Sequence, residues 1–535
     1  MTTLGLNTPQ TEKVEGREDQ VENNEGGFVF SVGPWGMLDR FLILGSEGNT
    51  YYSSERKITK DNVKNVEKLL HTDGVDVVRR VVEISESGRA PKNDQALYIL
   101  AMASSSENPK VRKAALDALL KVARIGTHLF HYVSFVNEMR GWGRSLRKAV
   151  SNWYLETENN KLAYQLIKYQ QRDGWSHSDV IRLAHPKPAD PVKDALFAWI
   201  RDPKSLGNKE VNLPAQVQAF EAAKKASSSA EIIRLIGDFN LPRECIPTNF
   251  LTDPTVWEAL LEKMPMTAVI RNLATMTSVG LLTSGSSAAT KVSNQITDIN
   301  LLRRARIHPI SVLSALRTYE NGKGIRGSKT WSPIKQVCDA LDSSFYLSFG
   351  NVIPTGKRIL VALDVSGSMA AGEIAGVPGL TPRDASAALA LVTLSVEPNV
   401  EVVGFTNGSY GSYNSSGITP LNLQKGMRIK QAINSISNLP FAGTDCSLPA
   451  KWALKNNIEV DAFIILTDSE TYSGTGHPHT VLEEYRKKKV IDAKNIVIGM
   501  VSNGFTIADP TCPHELDVVG FDQNCPSIIS TFIKG

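Results

Sequence analysis

Two short apolar runs that each end in an aspartate constrain this chain more than any other feature. Arg358-Ile-Leu-Val-Ala-Leu-Asp364 and Ala462-Phe-Ile-Ile-Leu-Thr-Asp468 lack the alternation of a half-exposed strand, so both read as strands buried on two faces. Around them the pattern predicts helix from Asp384 to Val396, strand from Val400 to Phe405, helices near 424–436, 447–456 and 480–489, and strand from Asn495 to Val501. Strands alternating with helices imply a doubly wound parallel sheet, whose ligand site lies beyond the C-terminal strand ends. Both aspartates stand at that edge.

Ahead of residue 355 the pattern is different. From about 58 to 345 it is helical, with segments expected at 92–105, 127–140, 143–157, 160–171, 191–201, 214–226 and 229–237. Asn108-Pro109 opens a stretch carrying Val111, Ala115, Ala118, Leu119 and Val122 at helical spacing, which Gly126 would stop. Ser176 with Asp179 is a capping-box signature. Successive helices with one apolar face each stack most simply as an α-solenoid. Residues 276–300 contain a Ser/Gly-rich stretch expected to protrude as a loop. Residues 1–24 are polar and aperiodic, which reads as a flexible acidic tail.

At 535 residues the chain has length for two to four domains at roughly 150 residues each. No window approaches the roughly 18 apolar residues of a membrane span. The N-terminus lacks a signal pattern, and the five cysteines never pair as CxxC. A reduced, cytoplasmic protein without a cysteine zinc site is the expectation. The net charge of +4 is unevenly spread: residues 25–354 carry 43 basic and 33 acidic side chains, whereas 355–535 carry 14 and 17. A basic segment beside an acidic one suggests that one part meets a polyanion and the other does something else.

The aspartates belong to a larger oxygen set. Asp364-Val-Ser366-Gly-Ser368 is a D-x-S-x-S pattern, and Thr444 follows Gly443 in a loop entering a helix. With Asp468 these give three hydroxyls and two carboxylates, a hard donor set suited to Mg²⁺ or Mn²⁺. So few anionic ligands leave room for an acidic group from a partner. The pattern resembles the metal-ion-dependent adhesion site of von Willebrand factor A domains. That resemblance implies direct contacts from Ser366, Ser368 and Thr444, with Asp364 and Asp468 acting largely through water. His477 and His479 read as rim-loop residues rather than zinc ligands.

In the helical segment, residues 121–187 hold 11 basic against 5 acidic side chains. Arg144, Arg147 and Lys148 share one helix face, with Arg140 just ahead of them. Lys168 and Arg172 are spaced i, i+4, and Arg182, His185 and Lys187 follow. Clustered cations on consecutive helices suit a phosphate backbone, although solvated helix faces also carry such charges. Trp142 and Trp175 at helix boundaries read as core, with base stacking as the sharper alternative.

Several strings resemble the Ro autoantigen family: Leu38-Asp-Arg-Phe-Leu-Ile-Leu-Gly-Ser-Glu-Gly-Asn-Thr-Tyr-Tyr52, Gly141-Trp-Gly-Arg144, Tyr169-Gln-Gln-Arg-Asp-Gly-Trp-Ser-His177, Arg306-Ile-His-Pro309, Ala442-Gly-Thr-Asp-Cys-Ser-Leu-Pro449, Leu466-Thr-Asp-Ser-Glu-Thr471 and Ser502-Asn-Gly-Phe-Thr-Ile-Ala-Asp-Pro510. The resemblance implies an α plus α/β architecture. Residues 25–354 would form a TROVE module, a ring-closed solenoid of HEAT-like helices, and 355–535 a doubly wound, Rossmann-like von Willebrand A domain. It also implies Y RNA on the outer basic surface, at Lys168, Arg172 and His185, and single-stranded 3′ ends of misfolded non-coding RNA in the central hole, with Arg40 as a candidate lining cation. A further implied partner is an exoribonuclease such as polynucleotide phosphorylase, which makes the chain a non-catalytic adaptor. The insert Gly372–Pro382 departs from the family pattern. Two other readings stay open: a metal-dependent scaffold or adhesion protein, and a metal-dependent nuclease or phosphohydrolase. The second lacks an identifiable general base beside the D-x-S-x-S pattern.

Overall fold

The structure, a computed structural model, describes residues 6–45, 55–203, 213–324, 328–349, 353–374, 377, 379–407, 416–437, 439, 443–522 and 524–535. Residues 46–52 of the first family string, Ala442, and residues 375, 376 and 378 of the insert lie outside that set. The strands in chain order are β1 (Gln20–Glu22), β2 (Phe28–Ser31), β3 (Gln171–Arg172), β4 (Trp175–Ser176), β5 (Arg358–Asp364) and β6 (Asn399–Phe405). They continue with β7 (Ile418–Pro420), β8 (Ala462–Thr467), β9 (Lys494–Gly499), β10 (Phe505–Thr506) and β11 (Glu515–Val519).

Helices fill the first two-thirds of the chain close to where periodicity placed them: Asp94–Ser105, Gly126–Met139, Arg144–Glu156, Pro191–Arg201 and Ser229–Phe239. Local chemistry sets their ends. The Asn108 side chain accepts from Lys110 N at 3.0 Å, and Ser176 with Asp179 forms the expected capping box. One expectation fails. Gly126 starts a helix instead of stopping one, in close approach to Tyr169 and His177 that leaves little room for a Cβ. The Ser/Gly-rich loop spans 279–286, and its last residue, Ser286, is the N-cap of the helix Ser287–Ile296.

The helical run turns back on its own start. Arg306 Nη1 donates to the Glu86 carbonyl at 2.6 Å. His308 Nε2 donates to the Arg89 carbonyl at 3.0 Å while its Nδ1 accepts from Ile310 N. Burial holds His308 near pKa 4, so the ring is neutral and one nitrogen is free to accept. Between these ends lies a cavity of about 630 Å³, to which Val377 of the insert also contributes.

The C-terminal third is a six-stranded sheet in the order β11-β9-β8-β5-β6-β7, parallel except for β7. The order reverses direction between β5 and β8, and this switch point is where ligands bind in such sheets. The sheet domain is docked on the helices at both ends of the run. Arg89 Nη2 donates to the Val519 carbonyl at 2.9 Å, Tyr346 donates to the Met427 carbonyl at 3.2 Å, and Arg428 pairs with Asp339.

The N-terminal segment corrects the tail reading. Gln10, Val14, Gln20 and Asn23 are buried, β1 pairs with β2, and β2 pairs with β10 of the C-terminal domain. Its polar side chains hydrogen-bond backbone groups of that domain, which is why composition alone made it resemble a solvated tail.

Arg40 is likewise committed. It is 1% exposed on the helix Gly33–Leu44, with Nη2 on both Asp517 oxygens at 2.7 and 2.9 Å and Nη1 on Asn503 Oδ1 at 2.6 Å. It therefore joins the two domains and does not line an opening. Removing one member of a buried pair strands the other. Asp517 keeps some solvent, so Arg40→Ala should cost about 3 kcal/mol, the low end for such a loss, read as a fall in the urea midpoint.

Candidate metal centre and nucleic-acid interface

The five oxygen-bearing residues converge at the switch point. Asp364 ends β5, Asp468 follows β8, Ser366 and Ser368 lie in the turn after β5, and all four are buried with Thr444. Asp364 Oδ1 accepts from Ser366 N at 2.9 Å and Oδ2 from the Thr467 hydroxyl at 2.7 Å. The Ser366 and Ser368 hydroxyls lie 3.0 Å apart. Burial raises the pKa of Asp364 and pushes that of Asp468 up to about 7, the Asp364 charge adding to the second shift. Among the described residues, Thr444 Oγ1 is buried without a hydrogen-bond partner. Two adjacent desolvated carboxylates and an orphaned hydroxyl fit a hard divalent cation, which would supply the missing counter-charge and partner.

Neighbours that the sequence did not single out hold this cluster. Buried Arg383 donates to the Val365 and Ser366 carbonyls. Thr467 orients Asp364, and Asn503 Nδ2 donates to the Asp468 carbonyl at 2.6 Å. Thr467 and Asn503 fall inside two of the family strings, but nothing in their local pattern marks them. His477 is not a rim residue: it is buried, with Nε2 on the Glu12 carbonyl at 2.9 Å and Nδ1 3.2 Å from Gln20 Nε2. His479 is buried as well, and burial holds it near pKa 3. Among the described residues, no three His, Cys, Asp or Glu side chains cluster as metal ligands.

The basic residues of the helical domain are mostly exposed: Arg140, Arg144, Arg147, Lys148, Arg172, Arg182, His185 and Lys187. Arg144, Arg147 and Lys148 share one helix. Lys168 and Arg172 do not, because the helix stops at Lys168 and Arg172 sits on β3 of a two-residue hairpin. Asp173 and Gly174 at its tip have φ of 52° and 77°, and an Asp-Gly pair accepts the type I′ turn these values require. His131 pairs with Asp173 and pins the tip to the helix Gly126–Met139. His185 is a left-handed C-cap, and Lys187 lies beyond the helix end.

Lys168 is half-buried between two rings, its Nζ 5.2 Å from the Tyr164 centroid and 5.4 Å from that of Tyr169. Burial alone would lower its pKa, but the Tyr164 hydroxyl at 3.1 Å and the two tyrosines leave it raised. Trp142 and Trp175 pack against each other and the core, with ring centroids 6.2 Å apart. At the cavity, burial lowers the pKa of Arg124 and the charge of Arg306 lowers it further. Arg124 and Arg306 face one opening, and the Glu86 carboxylate offsets part of their repulsion.

A closed helical domain with an exposed cationic face, joined to an A-type sheet domain with an oxygen-lined switch point, defines the class. The TROVE domain model matches residues 21–237 and 238–318, and the Ro60 vWA domain model matches 358–533. Two curated relatives share most of their length with this chain. One, named RNA-binding protein RO60, from Deinococcus radiodurans, is 40% identical over 99% of this chain and 98% of its own length. The other, of the same name, from Caenorhabditis elegans, is 36% identical over 98% and 91%. The crystal structure of the D. radiodurans RO (RSR) protein matches with a TM-score of 0.70 at 38% identity, covering 94% of this chain and all of that one. The chain belongs to the Ro60 family of RNA-binding proteins. Among the described residues, no helix is long and apolar enough to cross a membrane.

Phosphate contacts by an exposed cationic face are weakened by salt. RNA affinity should fall linearly on a log–log plot against salt, by roughly 0.7–0.9 in slope per phosphate neutralised. A flat response in filter-binding titrations would remove the electrostatic account.

Proposed function

We propose that this chain is a non-catalytic RNA-binding protein of small non-coding RNA quality control in the cytoplasm. The carrying observation is the cationic face formed by Lys168, Arg172, Arg182, His185 and Lys187 on one helix–hairpin–helix unit, with Lys168 held in place by Tyr164 and Tyr169. Structured RNA has its phosphates fixed in space, so a preorganised cation face suits a Y-like stem-loop. Single-stranded 3′ ends of misfolded RNA are assigned to the cavity between the ends of the helical run. Arg124 and Arg306 take the role expected of Arg40, because a phosphate entering there meets two cations whose repulsion Glu86 offsets only in part. Delivering such ends to an exoribonuclease such as polynucleotide phosphorylase would make the chain an adaptor.

This division predicts separable losses. Lys168→Ala with Arg172→Ala should weaken stem-loop binding by about 1–3 kcal/mol, the size of two charge-assisted contacts. Tail binding should change much less. Equal losses in gel-shift titrations of a stem-loop and a tailed duplex would mean one shared surface.

The A domain is proposed to bind Mg²⁺ or Mn²⁺ through Ser366, Ser368 and Thr444 directly, with Asp364 and Asp468 acting largely through water. The cation would offer a coordination position to an acidic group of a protein partner. A purely metal-dependent scaffold is the second reading, favoured by the orphaned Thr444 hydroxyl. Ser366→Ala with Ser368→Ala should abolish Mn²⁺ binding in electron paramagnetic resonance titrations and leave RNA affinity intact. Loss of RNA binding in the folded double variant would overturn the separation of roles. Mg²⁺-dependent cleavage of labelled RNA that the same variant abolishes would overturn the non-catalytic reading.

A further inference from the structure

We infer that the N-terminal segment and the first helix of the helical domain are part of the metal site, with Gln10 positioning the Thr444 loop and Arg40, through Asn503, positioning Asp468. The inference rests on the cation-binding reading above.

Gln10 is completely buried. Its Nε2 donates to Asp445 Oδ1 at 2.7 Å and to the Gly476 carbonyl at 3.0 Å. Its Oε1 accepts from the Thr471 hydroxyl, whose oxygen in turn accepts from Cys446 N at 3.0 Å. One amide thus ties the residue after Thr444 to the loop that follows Asp468. The backbone repeats the link: Gln10 N donates to the Gly474 carbonyl at 3.0 Å, and Gly476 N donates to the Thr8 carbonyl at 2.8 Å.

The same loop is gripped farther along the segment. Asn23 Nδ2 donates to the Ser469 carbonyl at 3.2 Å and to that of Thr471 at 2.8 Å. Ser469, adjacent to Asp468, has φ of 63°, a left-handed conformation that surrounding contacts must hold in place. At Gly27 a Cβ would overlap the Thr471 carbonyl oxygen, so the chain passes too close for any side chain.

The second link runs through the domain junction. Asn503 Nδ2 donates to the Asp468 carbonyl at 2.6 Å, while its Oδ1 accepts from Arg40 Nη1 at 2.6 Å. Arg40 fixes the amide orientation, since a flipped Asn503 would point two donors at each other. Neither Gln10 nor Asn503 touches the oxygens assigned to the cation, so both are positioning residues. Small divalent cations demand near-ideal geometry, and outer-shell partners of metal ligands are typically worth about 10–100-fold in affinity.

The test uses the full chain, with Mn²⁺ alone as probe and electron paramagnetic resonance as readout. Gln10→Met and Asn503→Leu keep side-chain bulk and remove the hydrogen bonds. Each should weaken Mn²⁺ binding of the folded protein about 10-fold or more, with RNA affinity near that of the parent and a lower melting midpoint in EDTA, because each variant strands buried polar partners. A purely structural role would lower the midpoint in EDTA and leave Mn²⁺ affinity unchanged. If Gln10→Met does not fold, Asn503→Leu carries the test. Should the parent bind Mn²⁺ in a Ser366-dependent manner and the folded variants bind it as tightly, the inference is overturned. Should the parent itself not bind, the cation reading fails first, and the two failures are told apart.

Discussion

Arg40 has 1% of its side chain exposed, and the compensating groups all come from the other domain: the Asp517 carboxylate, the Asn503 amide and the carbonyls of Asn503 and Phe505. A desolvated guanidinium costs several kcal/mol unless it is paired and fully hydrogen-bonded. The helix Gly33–Leu44 therefore reaches its observed state only with the sheet domain docked. The docked sheet domain in turn brings Val519 and Asp522 to Arg89, which lies just past the end of the next helix. The Arg89 carbonyl also receives His308 from the far end of the helical run. Closure and docking are thus linked through residues only a few positions apart.

The same junction explains how far the sequence could be read. Apolar runs such as Leu360–Leu363 and Phe463–Leu466 were legible because burial on both faces leaves polar residues only at the strand ends. The oxygen cluster was legible because topology alone carries strand ends to one edge. The i, i+4 spacing of Lys168 and Arg172 misled, since the helix ends at Lys168 and the Asp173-Gly174 turn makes the second cation a hairpin residue. Arg40 and Asn503 could not be paired by pattern, because their partners lie more than 460 positions away. The N-terminal segment was misread for a related reason. Gln10, Asn23 and Asn24 satisfy backbone and side-chain groups of another domain, and a segment that packs through polar contacts has the composition of one that does not pack.

Charge sorts the two domains by task. In the sheet domain, buried carboxylates at the switch point repel phosphate and attract cations, and burial raises their pKa even though the Arg383 charge lowers that of Asp364. Arg383 sits behind the loop and donates to backbone carbonyls, which holds the loop without filling the oxygen-lined position. The helical domain carries the opposite imbalance, spread over helix faces and one hairpin.

Within that domain the two cationic regions are built on different physics. Lys168 is restrained by Tyr164 and Tyr169, so the ordering entropy of a long side chain is already spent before a ligand arrives. Such a face favours a ligand whose phosphates are already in place. Arg124 and Arg306 instead face one opening, with their mutual repulsion offset only in part by Glu86. That arrangement rewards charge more than shape, and a flexible strand can rearrange to meet it. On the proposed function, one domain would thereby hold a folded stem and a loose tail of RNA at once, with the outer face selecting for rigidity and the cavity for charge.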